Sequence, residues 1–247
     1  ENKNVSVCLI EAGGRDQSAM VQMPAGVAAS VPYGINSWHY NTVPQKELNN
    51  RCGFMPRGKV LGGSSSINAM VYIRGSKKDY DNWAAMGNTG WDYTSLLPYF
   101  IKAENNVRGS DDLHGDSGPL HVSDLLSPRD ISKAFVEAAI ANGLDHNPDF
   151  NSEKQDGTGL YQVTHFHGEK QGQRCSTAAA YLHPVQNRSN LTVITHAQAN
   201  RVIIENNQAT GVVYEKDGVE HTVTARHEVL LSGGAFGSPK VLMLSGI

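Results

Sequence analysis

The sequence predicts an α/β protein with antiparallel additions, and three observations carry that prediction. Near the start, an apolar stretch, Val5 to Ile10, ends in an acid and a glycine pair, Glu11 and Gly13-Gly14. Stretches with helical periodicity and good start signals follow through the middle of the chain. From Asn190 onward the pattern changes to successive strands separated by polar turns.

Taken in order, Val5 to Ile10 reads as a short buried strand. Lys77 to Met86 reads as a short helix. Asp92 is placed to cap a second one, "YTSLLPYFIKAE", with Pro98 bending it. Ser127 and Pro128 form a start signal for a third, in which Ile131, Phe135, Ala138 and Ala139 share a face before Gly143 stops it. "LYQVTHFH" alternates like a strand, and "STAAAYLHPV" reads as a short helix. "LTVITHA", "NRVIIE", "GVVYEKDG" and "EHTVTARHEVLLSGG" read as strands, with turns at Asn206-Asn207 and Asp217-Gly218. In the last of them Val229 to Leu231 would return to a central sheet and stop at Gly233-Gly234. A final helix would start at Ser238-Pro239.

The chain has 247 residues, 39% of them hydrophobic and 18% charged, with a net charge of −3, so no basic surplus points to nucleic acid or an anionic membrane. Its apolar runs are too short to span a bilayer. Cys8, Cys52 and Cys175 are odd in number and have no CxxC spacing, which fits unpaired thiols or a reducing compartment.

The most informative stretch is "RGKVLGGSSSINAMVYIRG", Arg57 to Gly75. A phosphate-binding P-loop would need a lysine after its last glycine, whereas Lys59 precedes the glycine pair. Neither Ser64 to Ser66 nor Ser232 stands in a G-x-S-x-G nucleophile elbow. His165 and His167 share a face of the expected strand, but no third ligand stands at a metal-site spacing. What remains is a bare backbone that lets a flat ligand or a pyrophosphate come close. The serines could cap a helix starting near Ile67, whose amides would attract an anion. Asn68 both donates and accepts, and Arg57 and Lys59 add positive charge. On its own the stretch fits a tight glycine turn between packed elements equally well. Glu11 has a matching pair of readings. It is either a solvated acid at a strand end or the acid that holds ribose hydroxyls in a dinucleotide fold, about 20 residues after a G-x-G-x-x-G turn.

These residues carry a resemblance to the glucose–methanol–choline (GMC) oxidoreductases, and among them to the choline dehydrogenase-like and alcohol dehydrogenase-like members. One family signature stands as "GKVLGGSSSINAMVYIRGSKKDYD", Gly58 to Asp81, and a second as "GAFGSPKVLMLSGI", Gly234 to Ile247. "LIEAGG", "WHYNTVPQ", "GWDYTSLLPYFIKAE", "HGDSGPLHV", "STAAAYL" and "NLTVITHA" fit colinearly around and between them.

The resemblance implies an FAD-binding, Rossmann-like (doubly wound) domain with an inserted α+β substrate-binding domain, incomplete at both ends. Residues 1–75 and 176–247 would form the FAD domain and 76–175 a substrate-cap segment. It implies FAD-dependent oxidation of a primary alcohol, choline-like or aliphatic or aromatic, to an aldehyde by hydride transfer to flavin N5. A hydroxynitrile lyase of the same fold and an inactive truncated remnant are the alternatives. By position, Glu11 would hold the adenosine ribose, and Val60, Leu61, Gly62, Gly63 and Ser64 would lie along the cofactor. Asn68, Ala69, Met70 and Val71 would pass beside the pyrophosphate and flavin. Ala199 would meet the adenine, and Gly233, Gly234 and Ala235 would close over the nucleotide.

Some members attach FAD through a His directly before the signature Asn. Ile67 stands there in this sequence, so the resemblance implies non-covalent FAD. The family's general-base His would fall beyond residue 247 and its G-x-G-x-x-G turn before residue 1, so no residue here is assigned as catalytic. Expected partners are the alcohol and an electron acceptor, a quinone or dioxygen. The expected location is cytoplasmic or peripherally membrane-associated, with no nucleic acid, no metal and no transmembrane segment.

Overall fold

The computed structural model describes residues 3–247. In chain order its main elements are β1 (Val7–Ile10), α1 (Ala19–Gln22), α2 (Val27–Tyr33), β2 (Ser37–Trp38), β3 (Arg57–Gly58), α3 (Lys77–Ala85), α4 (Tyr93–Ala103), β4 (Glu104–Asn106), β5 (Leu120–Val122) and α5 (Asp130–Ala141). There follow β6 (Leu191–Ile194), β7 (Ala197–Glu205), β8 (Gln208–Lys216), β9 (Val219–Thr224) and α6 (Gly234–Leu244). The chain divides into two compact units. Unit 1 comprises residues 1–16, 36–63 and 185–247, and unit 2 comprises residues 17–35 and 64–184.

In unit 1, β1 pairs in parallel with β6, and β7, β8 and β9 form an antiparallel meander. The meander's hairpins are tight because Asn206 and Asn207, and then Asp217 and Gly218, all adopt positive φ, as two-residue turns matched to strand twist require. β1 is not buried: Val7 is 51% exposed and Leu9 38%, because among the described residues β6 is its one strand neighbour and its faces are uncovered. Val229 to Leu231 forms no strand, and Leu230 is 78% exposed, since no neighbouring strand takes up its backbone groups. The last helix also starts earlier than Ser238-Pro239: α6 opens at Gly234 and carries Pro239 inside it.

In unit 2, α3 and α4 form where the sequence places them. Asp92 accepts a hydrogen bond from the Ser95 N–H at 2.9 Å and so caps α4, and Gly143 follows α5 at positive φ. α5 starts at Asp130 with Arg129 as its cap, two residues later than the Ser127-Pro128 signal, and its apolar face is open: Ile131 and Phe135 are exposed. "LYQVTHFH" is not a strand. It makes only isolated bridges, Val163 to both Val71 and Ser123, and His165 to Arg174, because each neighbour approaches it at a single residue. The stretch after Ser176 forms a π-helical turn, Ala178–Leu182, followed by a 3-10 turn, His183–Val185.

Unit 2 is held by a buried polar cluster that sequence spacing did not reveal. Glu104, with no solvent exposure, accepts from Arg74 Nη2 at 2.7 Å and from Asn106 Nδ2 at 2.9 Å. It also meets His114 Nδ1 at 3.1 Å and the Gly115 N–H at 3.3 Å. His114 Nε2 reaches Asp149 Oδ2 at 3.0 Å. With acceptors on both ring nitrogens His114 is held as an imidazolium, its pKa pushed up to about 9 by Asp149 first and then Glu104. The same contact draws the Asp149 carboxyl below its ordinary value.

Candidate functional site

The unit 1 part of the candidate site is built where β1 ends. Glu11 donates its N–H to the Ile194 carbonyl at 2.9 Å and accepts from the Ala197 N–H at 2.9 Å, while Gly13 accepts from the His196 N–H at 2.8 Å. β1 and the start of β7 thereby splay around the Glu11–Gly14 turn. The Glu11 side chain folds back so that Oε1 accepts the Gly13 N–H at 2.7 Å. Partial burial raises the Glu11 pKa, and the Gly13 N–H and the charge of Lys59 oppose that rise. Among the described residues its second oxygen, Oε2, has no hydrogen-bond partner.

Against this turn lies the Val60–Gly63 strip. The Gly14 carbonyl accepts from the Leu61 N–H at 2.9 Å, and Gly14 pairs with Val60 in parallel register. The approach is so close that a Cβ on Gly13 would stand 1.9 Å from the Lys59 carbonyl oxygen. Val60 and Leu61 bury their side chains, and the chain then turns at Gly62 and Gly63, with φ of 85° and 54°. A Cβ on Gly63 would meet no atom within 4 Å. The strip therefore has one packed side and one open side. Open backbone at a glycine is what close approach of a flat ligand requires, so these residues fit a dinucleotide.

The other unit 1 residues are placed less closely. Ala199 lies on β7 opposite Tyr214, two residues beyond the Ala197 amide that bonds Glu11. Gly233, Gly234 and Ala235 are exposed at the start of α6. That start is tied to the 36–63 segment through Phe236, whose ring is 5.9 Å from that of Tyr40 and 4.6 Å from the Arg57 guanidinium. Lys59 stacks its ammonium 4.4 Å from the Trp38 ring.

In unit 2, Ser64 begins the second stretch of candidate residues. No helix starts near Ile67. A single 3-10 turn, Gly63–Ser66, leads into buried Ile67, and Asn68 Oδ1 then accepts the Met70 N–H at 3.0 Å. Met70 adopts φ of 63°, which a helix cannot contain. The anion-attracting helix start expected there is thus absent. Asn68, Ala69 and Val71 are exposed, whereas Met70 is buried. The turn is held from below by Arg174, which lacked any signal in the sequence beyond a lone basic residue before "CSTAAAYL". Its Nη1 donates to the Ser65 carbonyl at 3.2 Å, the Asn68 carbonyl at 2.7 Å and Asn68 Oδ1 at 2.9 Å.

His165 and His167 part company. His167 Nε2 lies 3.0 Å from the Asn105 carbonyl, and His165 is buried with neither ring nitrogen hydrogen-bonded. Among the described residues no cluster of three or more His, Cys, Asp or Glu is arranged to hold a metal. All three cysteines are free, and burial pushes the Cys175 thiol up to about 11.

An α/β chain whose glycine strip lies against an acid at a strand end belongs to the class of dinucleotide-binding folds. The family model described as GMC oxidoreductase matches residues 8–247, and the chain belongs to that family. It is 45% identical over 244 residues to the alcohol dehydrogenase [acceptor] of Pseudomonas putida, covering 98% of this chain and 44% of that protein. It is 43% identical over 247 residues to an oxygen-dependent choline dehydrogenase of Rhizobium etli, again covering 44% of the relative. Among solved structures, an FAD-dependent oxidoreductase from Chaetomium thermophilum superposes with a TM-score of 0.89 at 31% identity, over 100% of this chain and 44% of that one. The chain thus spans less than half the length of the relatives it matches. Among the described residues no helix is long and apolar enough to cross a membrane.

Proposed function

We propose that the intact protein oxidises a primary alcohol, choline-like or aliphatic or aromatic, to the aldehyde with non-covalently bound FAD. The observation that carries this reading is the Val60–Gly63 strip, packed on one side against the Glu11–Gly14 turn and open on the other at Gly63. FAD supplies the electron acceptor that no side chain can provide. The chain's own residues bind and orient it. Glu11 would accept from ribose hydroxyls, and the backbone of Val60, Leu61, Gly62, Gly63 and Ser64 would let the cofactor approach. Asn68, with its Oδ1 already engaged, offers its amide N–H groups beside Ala69, Met70 and Val71. Ala199 and Gly233, Gly234 and Ala235 would complete the nucleotide contacts. Ile67, apolar and buried, has no nitrogen to form a covalent link.

Residues 1–75 and 176–247 serve the cofactor in this reading, and 76–175 contribute to the substrate cap. The relatives named above are dehydrogenases and an oxidoreductase, so the lyase alternative gains no support from them. An acceptor-dependent alcohol dehydrogenase and an oxygen-dependent choline dehydrogenase among the relatives fit either a quinone-type acceptor or dioxygen, and a cytoplasmic or membrane-peripheral location suits both. The 247-residue chain alone, at 44% of its relatives' length, is proposed to be inactive.

The test is to purify the full-length protein, acid-denature it and look for FAD in the supernatant, then assay dye-coupled alcohol oxidation. Released FAD at one per chain and alcohol-dependent dye reduction are expected. Flavin that stays with the precipitated protein would overturn the non-covalent assignment. Cyanohydrin cleavage without alcohol oxidation would overturn the reaction.

A further inference from the structure

Arg174 is an unusual residue for its surroundings. It is only 3% exposed, yet it is paired with no carboxylate among the described residues. Desolvation alone lowers its pKa, to about 10, which leaves it charged at neutral pH. Most of its bonds go to backbone carbonyls. Nε bonds the Val21 carbonyl at 2.8 Å, its own N–H bonds Gln22 at 2.9 Å, and Nη1 bonds the Ser65 and Asn68 carbonyls and Asn68 Oδ1. Nη2 is buried with no partner, and the neighbouring His165 offers no bond from either ring nitrogen. A buried cation without a counter-charge is unfavourable. It persists where it holds something in place or awaits an acceptor.

The contacts converge on one object. Nη1 gathers three oxygens of the Ser65–Asn68 turn, and two positions on from Cys175 the Thr177 N–H bonds Ser65 Oγ at 2.9 Å. Asn68 Oδ1 is thereby shared between the Arg174 guanidinium and the Met70 N–H, and this locks the left-handed Met70 backbone. With Oδ1 and the turn's carbonyls drawn inward to the cation, the exposed edge of Asn68 presents its amide N–H groups.

We propose that Arg174 is a positioning residue for FAD: its buried, carboxylate-free guanidinium holds the Ser65–Asn68 turn in the shape that the dinucleotide meets. This rests on the reading of the chain as an FAD-binding one. It adds a residue outside the Val60–Gly63 strip and the Glu11–Gly14 turn, which acts through Asn68 rather than by contact.

The experiment uses the full-length protein as Arg174→Met, Arg174→Lys, Asn68→Ala and the Arg174→Met/Asn68→Ala double variant. The FAD dissociation constant is read by fluorescence titration of each apoprotein, with the apoprotein melting temperature and the visible circular dichroism of bound flavin alongside. Loss of charge-assisted hydrogen bonds to the turn should weaken FAD about 10- to 100-fold in Arg174→Met. Arg174→Lys, which keeps the buried positive charge beside the turn, should recover part of the affinity and of the flavin dichroism. The double variant should be little worse than the worse single one, because both act on one turn. Unchanged FAD affinity in Arg174→Met would overturn the proposal. So would losses that add in the double variant, or a Lys variant as weak as Met with affinity falling only in step with melting temperature. A wild-type protein that takes up no FAD would instead sink the underlying functional reading, which the wild-type titration shows before any variant is made.

Discussion

Glu104 in unit 2 and Glu11 in unit 1 are both carboxylates withdrawn from water, yet their surroundings differ in kind. Glu104 is met by a guanidinium, an amide, an imidazolium and a backbone N–H, and His114 passes the chain of contacts on to Asp149. Glu11 is met by one backbone N–H and left with a vacant oxygen. The apolar residues divide in the same way. Val60 and Leu61 are packed, but Val7, Leu9 and Leu230 in the same unit lie open. The cluster is an internal clasp in which Glu104 has all its partners and only the buried Arg74 Nε goes unbonded, whereas the half-satisfied acid beside open glycine backbone has the character of a binding surface. Substitutions at the two places should therefore separate stability from ligand affinity.

The largest expected effect lies under the strip. In Gly13→Ala the new methyl would sit 1.9 Å from the Lys59 carbonyl oxygen, so the turn and the strip must part. A loss of about 4 kcal/mol or more is expected, in the range reserved for direct backbone clashes. Thermal unfolding of the purified variant checks it. A melting temperature within a few degrees of the parent would mean that the two segments are not packed as described.

Next comes the clasp. Glu104→Gln keeps the shape but leaves Arg74 and His114 buried without their shared counter-charge. Breaking a buried ion pair from one side costs about 3–5 kcal/mol. Denaturant titration should show that loss with FAD affinity per folded molecule unchanged; a fall in affinity as large as the fall in stability would erase the contrast between the two carboxylates.

The clasp should also be visible in pH. The folded pKa of His114, about 9, is above its ordinary value of 6.5, so the folded state binds the proton more tightly than the unfolded state. The resulting stability is fully present below pH 6.5 and is lost as pH rises through 9. A shift of this size is worth about 3 kcal/mol. Asp149 acts with the opposite sign, because its lowered pKa adds stability above its ordinary value that is lost as pH falls through the folded one. Melting temperature measured from pH 6 to 10 should fall across the upper range in the parent and flatten in His114→Gln. An equal slope in both would remove His114 from the clasp.

How much of this was legible in the sequence follows from how far apart the interacting residues lie. The helices α3 and α4 and the β7–β9 hairpins rest on local signals, a cap or a turn within a few residues, and they stand where those signals put them. The glycine strip was legible because a backbone requirement leaves a mark in residue type at the spot itself. Val229 to Leu231 and "LYQVTHFH" carried strand patterns without strand neighbours, and pattern alone does not supply a partner. The Ile67 helix failed because a side chain more than a hundred positions away, Arg174, takes the turn's carbonyls. Arg74, Glu104, His114 and Asp149 are likewise brought together from four separate stretches, and no spacing rule connects them.

The smallest stability effect belongs to the open side of the strip, and it gives the sharpest contrast. Gly63 has φ of 54° and nothing within 4 Å of a Cβ placed on it, so Gly63→Ala meets only the strain of the left-handed backbone. That strain is worth about 1 kcal/mol. The same methyl would project into the space assigned to the cofactor, where a ligand lying against the bare backbone has no room to retreat. FAD affinity of the full-length protein should fall at least about tenfold, a larger change than the stability loss explains. Measured beside Gly13→Ala, the variant should reverse the order of damage, with folding spared and binding lost. If instead Gly63→Ala binds FAD like the parent, the open face of the strip is ordinary solvent-facing backbone and the cofactor lies elsewhere.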